Sequence, residues 1–189
     1  MPKQTFHKLN PDKKKALMSA CFSEFANYSF AEASISRIVK SLGIAKGSIY
    51  QYFEDKQELY EFLIDESIQR KYAILNFVLN RNLGDLEQWY FDACLAQIKF
   101  AQEFPQMYKL MQRATFESDH SSSDQDYEYV ERAINKLQSL KTVDINSEEV
   151  FLLSAMKETI TERHRAALSD EVMSEIEDIC QRVVQIVTK

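Results

Sequence analysis

The sequence predicts an all-α fold, and two observations support this. The 189-residue chain contains only three glycines and three prolines, far below ordinary usage of roughly 7% and 5%. Turns between β-strands depend on Gly, Pro, Asn and Asp, so a chain this poor in Gly and Pro is most simply interpreted as helical. Apolar residues also recur at steps of three and four along the sequence, as on one face of a helix. We expect about nine helices.

The first long helix has a clear start. Asn10 can cap it, Pro11 suits its first position, and Asp12 suits the positive end of the helix dipole. We expect this helix to end near Tyr28.

Two short helices follow, separated by a glycine. Ser34 is a candidate cap for the first, and Gly43 should end it, because Gly adopts the left-handed conformation at a helix end without steric cost. The second should run from Ala45 or Lys46 to about Tyr52. Two short helices joined by a tight, glycine-containing turn are typical of a helix-turn-helix. Its second helix enters the major groove of DNA.

The remainder of the chain is also predicted to be helical. Asp55 and Glu58 have the spacing of a capping box for a fourth helix that could continue to about Asn80. Asp85 begins another helix, which should end before Pro105 because the residue before a proline is disfavoured in a helix. The polar stretch 117–126 is predicted to be an exposed loop. Further helices are expected at 105–116, 127–140, 147–166 and 170–187.

Charge is distributed unevenly along the chain. The net charge is −6, yet residues 1–50 carry eight Lys or Arg against three Asp or Glu, so the other residues carry an excess of negative charge. This asymmetry indicates a basic module that meets a polyanion and an acidic module with another task. The alternative is that Lys13, Lys14 and Lys15 merely solvate a helix start. We predict a helix-turn-helix domain at 1–55 and a second helical domain at 56–189.

The three cysteines do not indicate a metal site or a disulfide framework. Cys21, Cys94 and Cys180 are far apart, and the histidines do not cluster with them. We expect no metal and no cofactor. The N-terminus lacks an apolar signal core and no apolar run approaches the length of a membrane span. We therefore expect a cytoplasmic protein with no membrane partner.

Several side chains in and around the predicted helix-turn-helix suit DNA. A Cβ at Gly47 would hold the backbone away from the duplex, and the neighbouring Lys46 supplies positive charge. Tyrosine hydroxyls can bond phosphates, Gln51 could read an adenine, and Lys56 could clamp a flanking phosphate. The predicted DNA-binding residues are Ser34, Ser36, Arg37, Ala45, Lys46, Gly47, Ser48, Tyr50, Gln51, Tyr52 and Lys56.

Each of these residues also has an explanation without DNA. Gly47 could mark only a tight helix start, and Gln51 could be a solvated polar residue. Tyr52 could be a core residue, as we expect for Phe53.

The segment SISRIVKSLGIAKGSIYQYFEDKQEL, residues 34–59, resembles the signature of the tetracycline-repressor (TetR) family of bacterial transcription regulators. The chain departs from the family pattern at Ser29, where Gly is frequent, and at Ser36, where Arg is frequent. The first of the two short helices ends in Leu42-Gly43 and lacks the Ala-Gly ending often seen in the family. The matching positions are Gly43, Ile44, Lys46, Gly47, Ser48, Ile49, Tyr50, Tyr52, Phe53, Lys56, Glu58 and Leu59.

The resemblance implies a ligand-binding, dimer-forming domain after the helix-turn-helix domain. Aromatic and Met residues are numerous in the first half of that domain, and pockets between helices are lined by such residues, although a helical core also needs them. The predicted pocket residues are Phe62, Trp89, Tyr90, Cys94, Phe100, Phe104, Met107, Tyr108, Met111 and Phe116.

The last helix carries apolar residues at alternating steps of four and three, the pattern of a helix-pairing seam, and the helix before it carries a similar apolar stripe. Two such helices from each of two subunits would form a four-helix bundle; alternatively, both seams pack within one subunit. The predicted dimer residues are Val150, Leu153, Met156, Ile160, Val172, Ile176, Ile179, Val183 and Ile186.

Together these features predict a ligand-responsive transcriptional regulator. We expect a homodimeric repressor that binds a palindromic operator in double-stranded DNA and responds to a small hydrophobic or aromatic effector. The alternative is a protein-interaction module that kept the helix-turn-helix shape without binding DNA. An enzyme is not expected, because we find no nucleophile–base pair, glycine-rich phosphate loop or metal-ligand spacing.

Overall fold

The computed structural model describes residues 2–79, 85–117 and 144–188, together with positions 131, 134, 135 and 138. Every regular element in these ranges is helical, which confirms the predicted fold class. The elements are α1 (Gln4–His7), α2 (Pro11–Asn27), α3 (Ile35–Leu42), the 3₁₀ helix η1 (Lys46–Gln51), α4 (Lys56–Leu79), α5 (Leu86–Glu103), α6 (Pro105–Glu117), α7 (Ser147–His164) and α8 (Asp170–Val187).

The described residues form two compact units. The first, here called the head, contains residues 2–69 and 106–117, and the second, the C-terminal unit, contains residues 70–105 and 144–188. The head therefore extends beyond residue 55, where we predicted the boundary, and takes in the start of α4 and most of α6. The predicted loop 117–126 and the predicted helix 127–140 lie largely outside the described residues.

Most predicted helix ends are confirmed. The side chain of Asn10 accepts a hydrogen bond from the backbone N–H of Asp12 at the start of α2. Asp85 accepts from two backbone N–H groups at the start of α5, and α5 ends just before Pro105 at Glu103. Short polar side chains therefore satisfy N–H groups that a helix start leaves without partners.

The predicted third helix is confirmed at Lys46–Gln51, where it is a 3₁₀ helix. Two other local predictions were wrong in detail. Ser34 occupies the cap position of α3 but its side chain makes no capping bond; its backbone N–H instead donates to Glu24 Oε1 at 2.7 Å. At the start of α4, Asp55 accepts from the N–H of Glu58 as expected, but the Glu58 carboxylate accepts from the N–H of Glu54, outside the expected capping box.

The core of the head is aromatic at its centre. Phe6, from the short helix α1 that the sequence did not predict, is fully buried. Its ring lies 5.2 Å from that of Phe53 and 5.3 Å from that of Phe62, measured between centroids. Phe25 packs on Tyr60 in the same core. Burial of these rings removes a large apolar area from water and holds α1, α2 and α4 together.

In the C-terminal unit, α5, α7 and α8 pack against one another. Trp89 and Tyr90 are fully buried in this core, and the Tyr90 hydroxyl donates to the carbonyl of Leu153 at 2.9 Å. In the part of the chain that the structure describes, no helix combines the length and the hydropathy needed to cross a membrane.

Candidate nucleic-acid interface

The turn between α3 and η1 requires a glycine at position 43. Gly43 has a φ of 65°, in the left-handed region, where a side chain is strained by roughly 1–2 kcal/mol. The N–H of Ile44 donates to the carbonyl of Val39 at 3.1 Å, which closes the end of α3. Gly43 therefore fixes the angle at which the chain leaves α3, as the sequence predicted.

The following 3₁₀ helix is anchored on one side and open on the other. Ile49 is buried at 1% exposure and Phe53, just after η1, at 0%. Lys46, Tyr50 and Gln51 are exposed, and together they are here called the open face of η1. The helix thus presents a cationic and two hydrogen-bonding side chains to solvent, a combination suited to a nucleic acid.

Gly47 lies in the open face of this helix and, unlike Gly43, is not required by its backbone conformation. Its φ is not positive, and a Cβ built there would meet no atom of a neighbouring element within 4 Å. Glycine at this position weakens a helix by roughly 0.5–1 kcal/mol relative to alanine. The fold gives no reason for Gly47, whereas close approach of an external surface does.

Arg37, predicted to contact DNA, is engaged inside the head. Its Nε donates to Glu24 Oε1 at 2.9 Å and its terminal nitrogen donates to the carbonyl of Glu32 at 2.7 Å. The guanidinium also stacks 4.0 Å from the ring centroid of Tyr28. The paired Glu24 carboxylate raises the pKa of Arg37. Arg37 therefore joins α2 to α3, and its role as a DNA contact stays a prediction.

Lys56, predicted to clamp a phosphate, has a comparable internal role. Its ammonium donates to the carbonyl of Phe30 at 2.7 Å and to that of Ala33 at 3.2 Å, and lies 4.4 Å from the ring centroid of Phe30. Two of its three donors thus satisfy the loop before α3. The role of Lys56 as a phosphate clamp stays a prediction.

The other predicted DNA-binding residues fall into two groups. Ser36 and Ala45 are exposed, Ser36 in the first turn of α3 and Ala45 before η1, and both belong to the open surface. Ser34, Ser48 and Tyr52 are half-buried. Tyr52 lines an apolar groove of the head together with Leu9, Lys13, Ala16, Leu17, Leu42, Ile44 and Ser48.

Sequence reasoning missed the residues at the extreme N-terminus. The backbone N–H of Lys3 donates to the carbonyl of Tyr52 at 2.8 Å, and its ammonium donates to the carbonyl of Tyr50 at 3.0 Å. The hydroxyl of Thr5 donates to the carbonyl of Gln51. No sequence motif signals these contacts; the only hint is the single apolar residue, Phe6, in a polar stretch.

The predicted pocket residues do not form one cavity within either unit. Phe62, Met107, Tyr108 and Met111 belong to the head, and the side chain of Phe116 lies outside the described residues. The others belong to the C-terminal unit. Four of them are buried in its core, and Phe104 is half-buried: the four are Trp89, Tyr90, Cys94 and Phe100.

A cavity of about 410 Å³ does lie between α5 and α8. Its lining is polar and carries four carboxylates, with Phe91 the single aromatic residue, so it differs from the apolar pocket we expected. The residues that line it are Asp85, Glu87, Gln88, Phe91, Ser174, Glu177, Asp178 and Gln181.

The predicted dimer residues divide between the inside and the outside of the C-terminal unit. Five are buried in its core, so they hold α7 and α8 within one subunit, contrary to the prediction: Val150, Leu153, Ile160, Ile176 and Val183. Four lie partly or fully at the surface: Met156, Val172, Ile179 and Ile186. Leu152, which the sequence analysis did not select, is exposed beside Met156 one turn along α7.

The interior of the C-terminal unit is unexpectedly polar. Gln97 and Lys157 are fully buried and His164 is 6% exposed. Gln97 donates to Glu158 at 2.6 Å, but its Oε1 accepts no hydrogen bond from the described residues, and His164 Nε2 has no such partner either. Leaving a buried polar atom unpaired costs roughly 1–3 kcal/mol.

Two thiols lie beside this polar interior. Cys94 Sγ and Cys180 Sγ are 3.7 Å apart, and both are free and buried. Burial raises the pKa of Cys94 well above its ordinary value. The Cys94 sulfur therefore behaves as a small core group rather than as a nucleophile.

Comparison with known proteins identifies the head. Residues 17–63 match the sequence family described as bacterial regulatory proteins, tetR family. Over 71 residues the chain is 31% identical to an uncharacterised HTH-type transcriptional regulator, YdgC, from Bacillus subtilis (strain 168). That alignment covers 38% of this chain and 36% of the relative, so the chain matches just over a third of the relative's length.

Solved structures resemble the chain over nearly its whole length. A TetR family transcriptional regulator from Chloroflexus aurantiacus J-10-FL has a TM-score of 0.74 and 23% identity, with 100% of this chain and 97% of that chain covered. The fatty acid degradation regulator FadR from Bacillus halodurans has a TM-score of 0.67 and 15% identity, with 96% of each chain covered. The ketosteroid transcriptional regulator KstR2 of Mycobacterium tuberculosis has a TM-score of 0.66 and 13% identity, with coverage of 96% and 97%. At these identities the likeness establishes the fold.

Proposed function

We propose that this chain, whose residues 17–63 match the tetR family of bacterial regulatory proteins, belongs to that family and is a DNA-binding transcriptional regulator. It acts as a homodimeric repressor whose affinity for a palindromic operator changes when a small effector binds. The observation that carries the proposal is the open face of η1, where Lys46, Tyr50 and Gln51 surround a glycine that the fold does not need.

In this proposal η1 enters the major groove with its N-terminal residues nearest the bases. Gly47 and Ala45 allow the backbone to approach the duplex closely. Lys46 neutralises a phosphate, the exposed hydroxyl of Tyr50 donates to another, and Gln51 reads a base edge. The internal contacts of Arg37 and Lys56 keep α3 and the preceding loop in place for this docking.

Dimerisation rests on the outer apolar surface of α7 and α8. Ile186 is 66% exposed and Leu152 is 39% exposed, and Met156, Val172 and Ile179 lie partly exposed on the same two helices. A second copy that covers this surface would bring two recognition helices to one DNA duplex. Half-sites are then separated by about one helical turn, roughly 34–36 Å.

The effector is proposed to be a small hydrophobic or aromatic molecule. Two structural neighbours are, by their own descriptions, regulators of fatty acid degradation and of ketosteroids, which are apolar compounds. α4 begins in the head and continues into the C-terminal unit, so its displacement could carry the response. A ligand changes DNA affinity by as much as it prefers one conformation over the other. The effector is expected to be released unchanged.

The direct test is selection of random duplex DNA by the purified protein near physiological salt, followed by sequencing. Enrichment of a palindrome supports a dimeric, sequence-specific regulator. Gln51→Ala should then change the preference at one position of each half-site. Lys46→Ala should weaken binding to all duplexes and lower the salt slope by about one unit per head.

A second candidate is a protein-interaction module with the shape of a helix-turn-helix. It is favoured by the acidic character of the chain, with a net charge of −6, which weakens attraction to a polyanion. Recovery of no preferred sequence, with binding that is equally weak to all duplexes, would select this candidate over the regulator.

A further inference from the structure

The N-terminal arm, residues 2–9, contacts the end of the recognition helix. We propose that this arm is a clamp that fixes η1 in the orientation needed to read DNA, and that Lys3 and Thr5 are its positioning residues. The inference rests on the proposed function, and it adds a determinant of DNA specificity outside the helix-turn-helix itself.

The contacts of the arm converge on three consecutive carbonyl groups. The Lys3 ammonium donates to the carbonyl of Tyr50 and the Thr5 hydroxyl donates to that of Gln51. The backbone N–H of Lys3 donates to the carbonyl of Tyr52. These carbonyls lie at the C-terminal end of η1, where a helix leaves acceptors without intrahelical partners. All three bonds come from one short segment, so they fix the position of that helix end relative to the arm.

The recognition helix needs such support. It is a 3₁₀ helix of six residues, and 3₁₀ helices longer than three or four residues are uncommon because their hydrogen-bond geometry is poor. Within η1 only Ile49 is buried. Phe53 provides a second apolar anchor directly after the helix, and the hydrogen bonds at the C-terminal end further restrict the tilt of η1.

The arm itself is fixed to the core of the head. Phe6 is fully buried between the rings of Phe53 and Phe62. Lys3 also forms an ion pair with Glu54 at 2.9 Å, but the two side chains are 41% and 75% exposed, and exposed pairs contribute little. The hydrogen bonds to the carbonyls, held in place by Phe6, are therefore the clamp.

This device lies outside the region that identifies the family. The family match begins at Leu17, after the arm, and the motif in residues 34–59 does not include it. The clamp is thus inferred from the contacts of this chain alone.

The test is a double variant, Lys3→Met with Thr5→Val, which removes two donors at nearly constant volume. Lys8→Met removes one exposed charge from the same arm and is the control. Lys3→Arg with Thr5→Ser keeps both donors and is the rescue variant. Three quantities are measured: hydrogen–deuterium exchange of residues 46–53 in the free protein, affinity for the selected duplex, and affinity for a scrambled duplex across a salt series.

The clamp predicts a specific pattern. In the double variant exchange in residues 46–53 increases roughly tenfold and affinity for the selected duplex falls by a similar factor, because two hydrogen bonds are lost. Affinity for the scrambled duplex and the salt slope stay close to those of the control, and the rescue variant returns to wild-type values.

Two outcomes would overturn the inference. Unchanged exchange would show that the arm does not restrain η1. An equal loss for both duplexes, with a salt slope lowered by about one unit per head, would make Lys3 a phosphate contact instead. If the wild-type protein prefers no duplex, the proposed function is wrong, and so is the inference that the clamp supports DNA reading. The exchange result still decides whether the arm restrains η1.

Discussion

The head and the C-terminal unit place their polar groups in opposite ways. In the head the exposed face of η1 carries the polar side chains of functional interest, and the buried carboxylate of Glu24 accepts from Arg37 and from the N–H of Ser34. In the C-terminal unit Gln97, Lys157 and His164 are buried. The polar side chains of interest in the head are thus exposed to solvent, whereas those in the C-terminal unit are buried.

The difference explains why the function of one unit can be read from the sequence and that of the other cannot. A surface that meets DNA is made by residues close together in the chain, so their spacing is a motif. An interior site is assembled from helices far apart in sequence: Gln97 and Glu158 meet across 61 positions. No local sequence pattern predicts a contact between two such distant residues.

The largest expected effect separates core from surface in the C-terminal unit. Ile176→Asp buries a charge at a position with 0% exposure and should lower the free energy of unfolding by about 4 kcal/mol or more. Leu152→Asp with Ile186→Asp changes exposed residues and should leave a folded monomer. Sedimentation checks the mass, and the fluorescence of Trp89, the only tryptophan, checks the fold. A double variant that stays dimeric would refute the outer interface.

A smaller effect compares a buried carboxylate that accepts hydrogen bonds with a buried amide that is only half satisfied. Glu24→Leu leaves Arg37 and the N–H of Ser34 without their acceptor and should destabilise the head by about 2 kcal/mol. Gln97→Leu removes the donor to Glu158 together with an amide oxygen that has no partner among the described residues. The two effects oppose each other, so the unfolding free energy should change by less than about 1 kcal/mol. Denaturant unfolding followed by circular dichroism and by Trp89 fluorescence measures both. An equal loss in the two variants would show that Gln97 is as well satisfied as Glu24.

The sequence predicted most of the fold, and its failures have physical causes. Caps such as Asn10 and Asp85 act within a few residues, so their helices were located correctly. The spacing of apolar residues predicted the apolar seam of α8, but spacing alone does not determine which helix packs against that seam. In the structure Ile176 lies in the core of its own subunit. Arg37 and Lys56 are the cations that motif spacing assigned to DNA, yet nearby acceptors from Glu24 and Phe30 engage both.

The smallest effect depends on pH. Burial raises the pKa of Cys21 in the head to about 12 from an ordinary value of 9.0, so the folded state favours the neutral thiol. The stability from this group is fully present below pH 9 and is lost as pH rises toward 12. Between pH 8 and pH 10 the wild-type protein should lose about 1 kcal/mol more than Cys21→Val, measured by denaturant unfolding. Parallel curves for the two proteins would contradict the assignment.

The central claim, that the open face of η1 is built to meet DNA, is tested most directly by one binding titration with the selected duplex. Gly47→Ala is compared with Gly43→Ala and with the wild-type protein, and each is also unfolded by denaturant. Our account predicts that Gly47→Ala folds at least as stably as the wild type, since nothing lies within 4 Å of the added Cβ, yet binds the duplex at least about tenfold more weakly. Gly43→Ala should be destabilised by about 1–2 kcal/mol through its positive φ. Wild-type affinity in Gly47→Ala would contradict the account, because the glycine would then serve neither the fold nor the duplex.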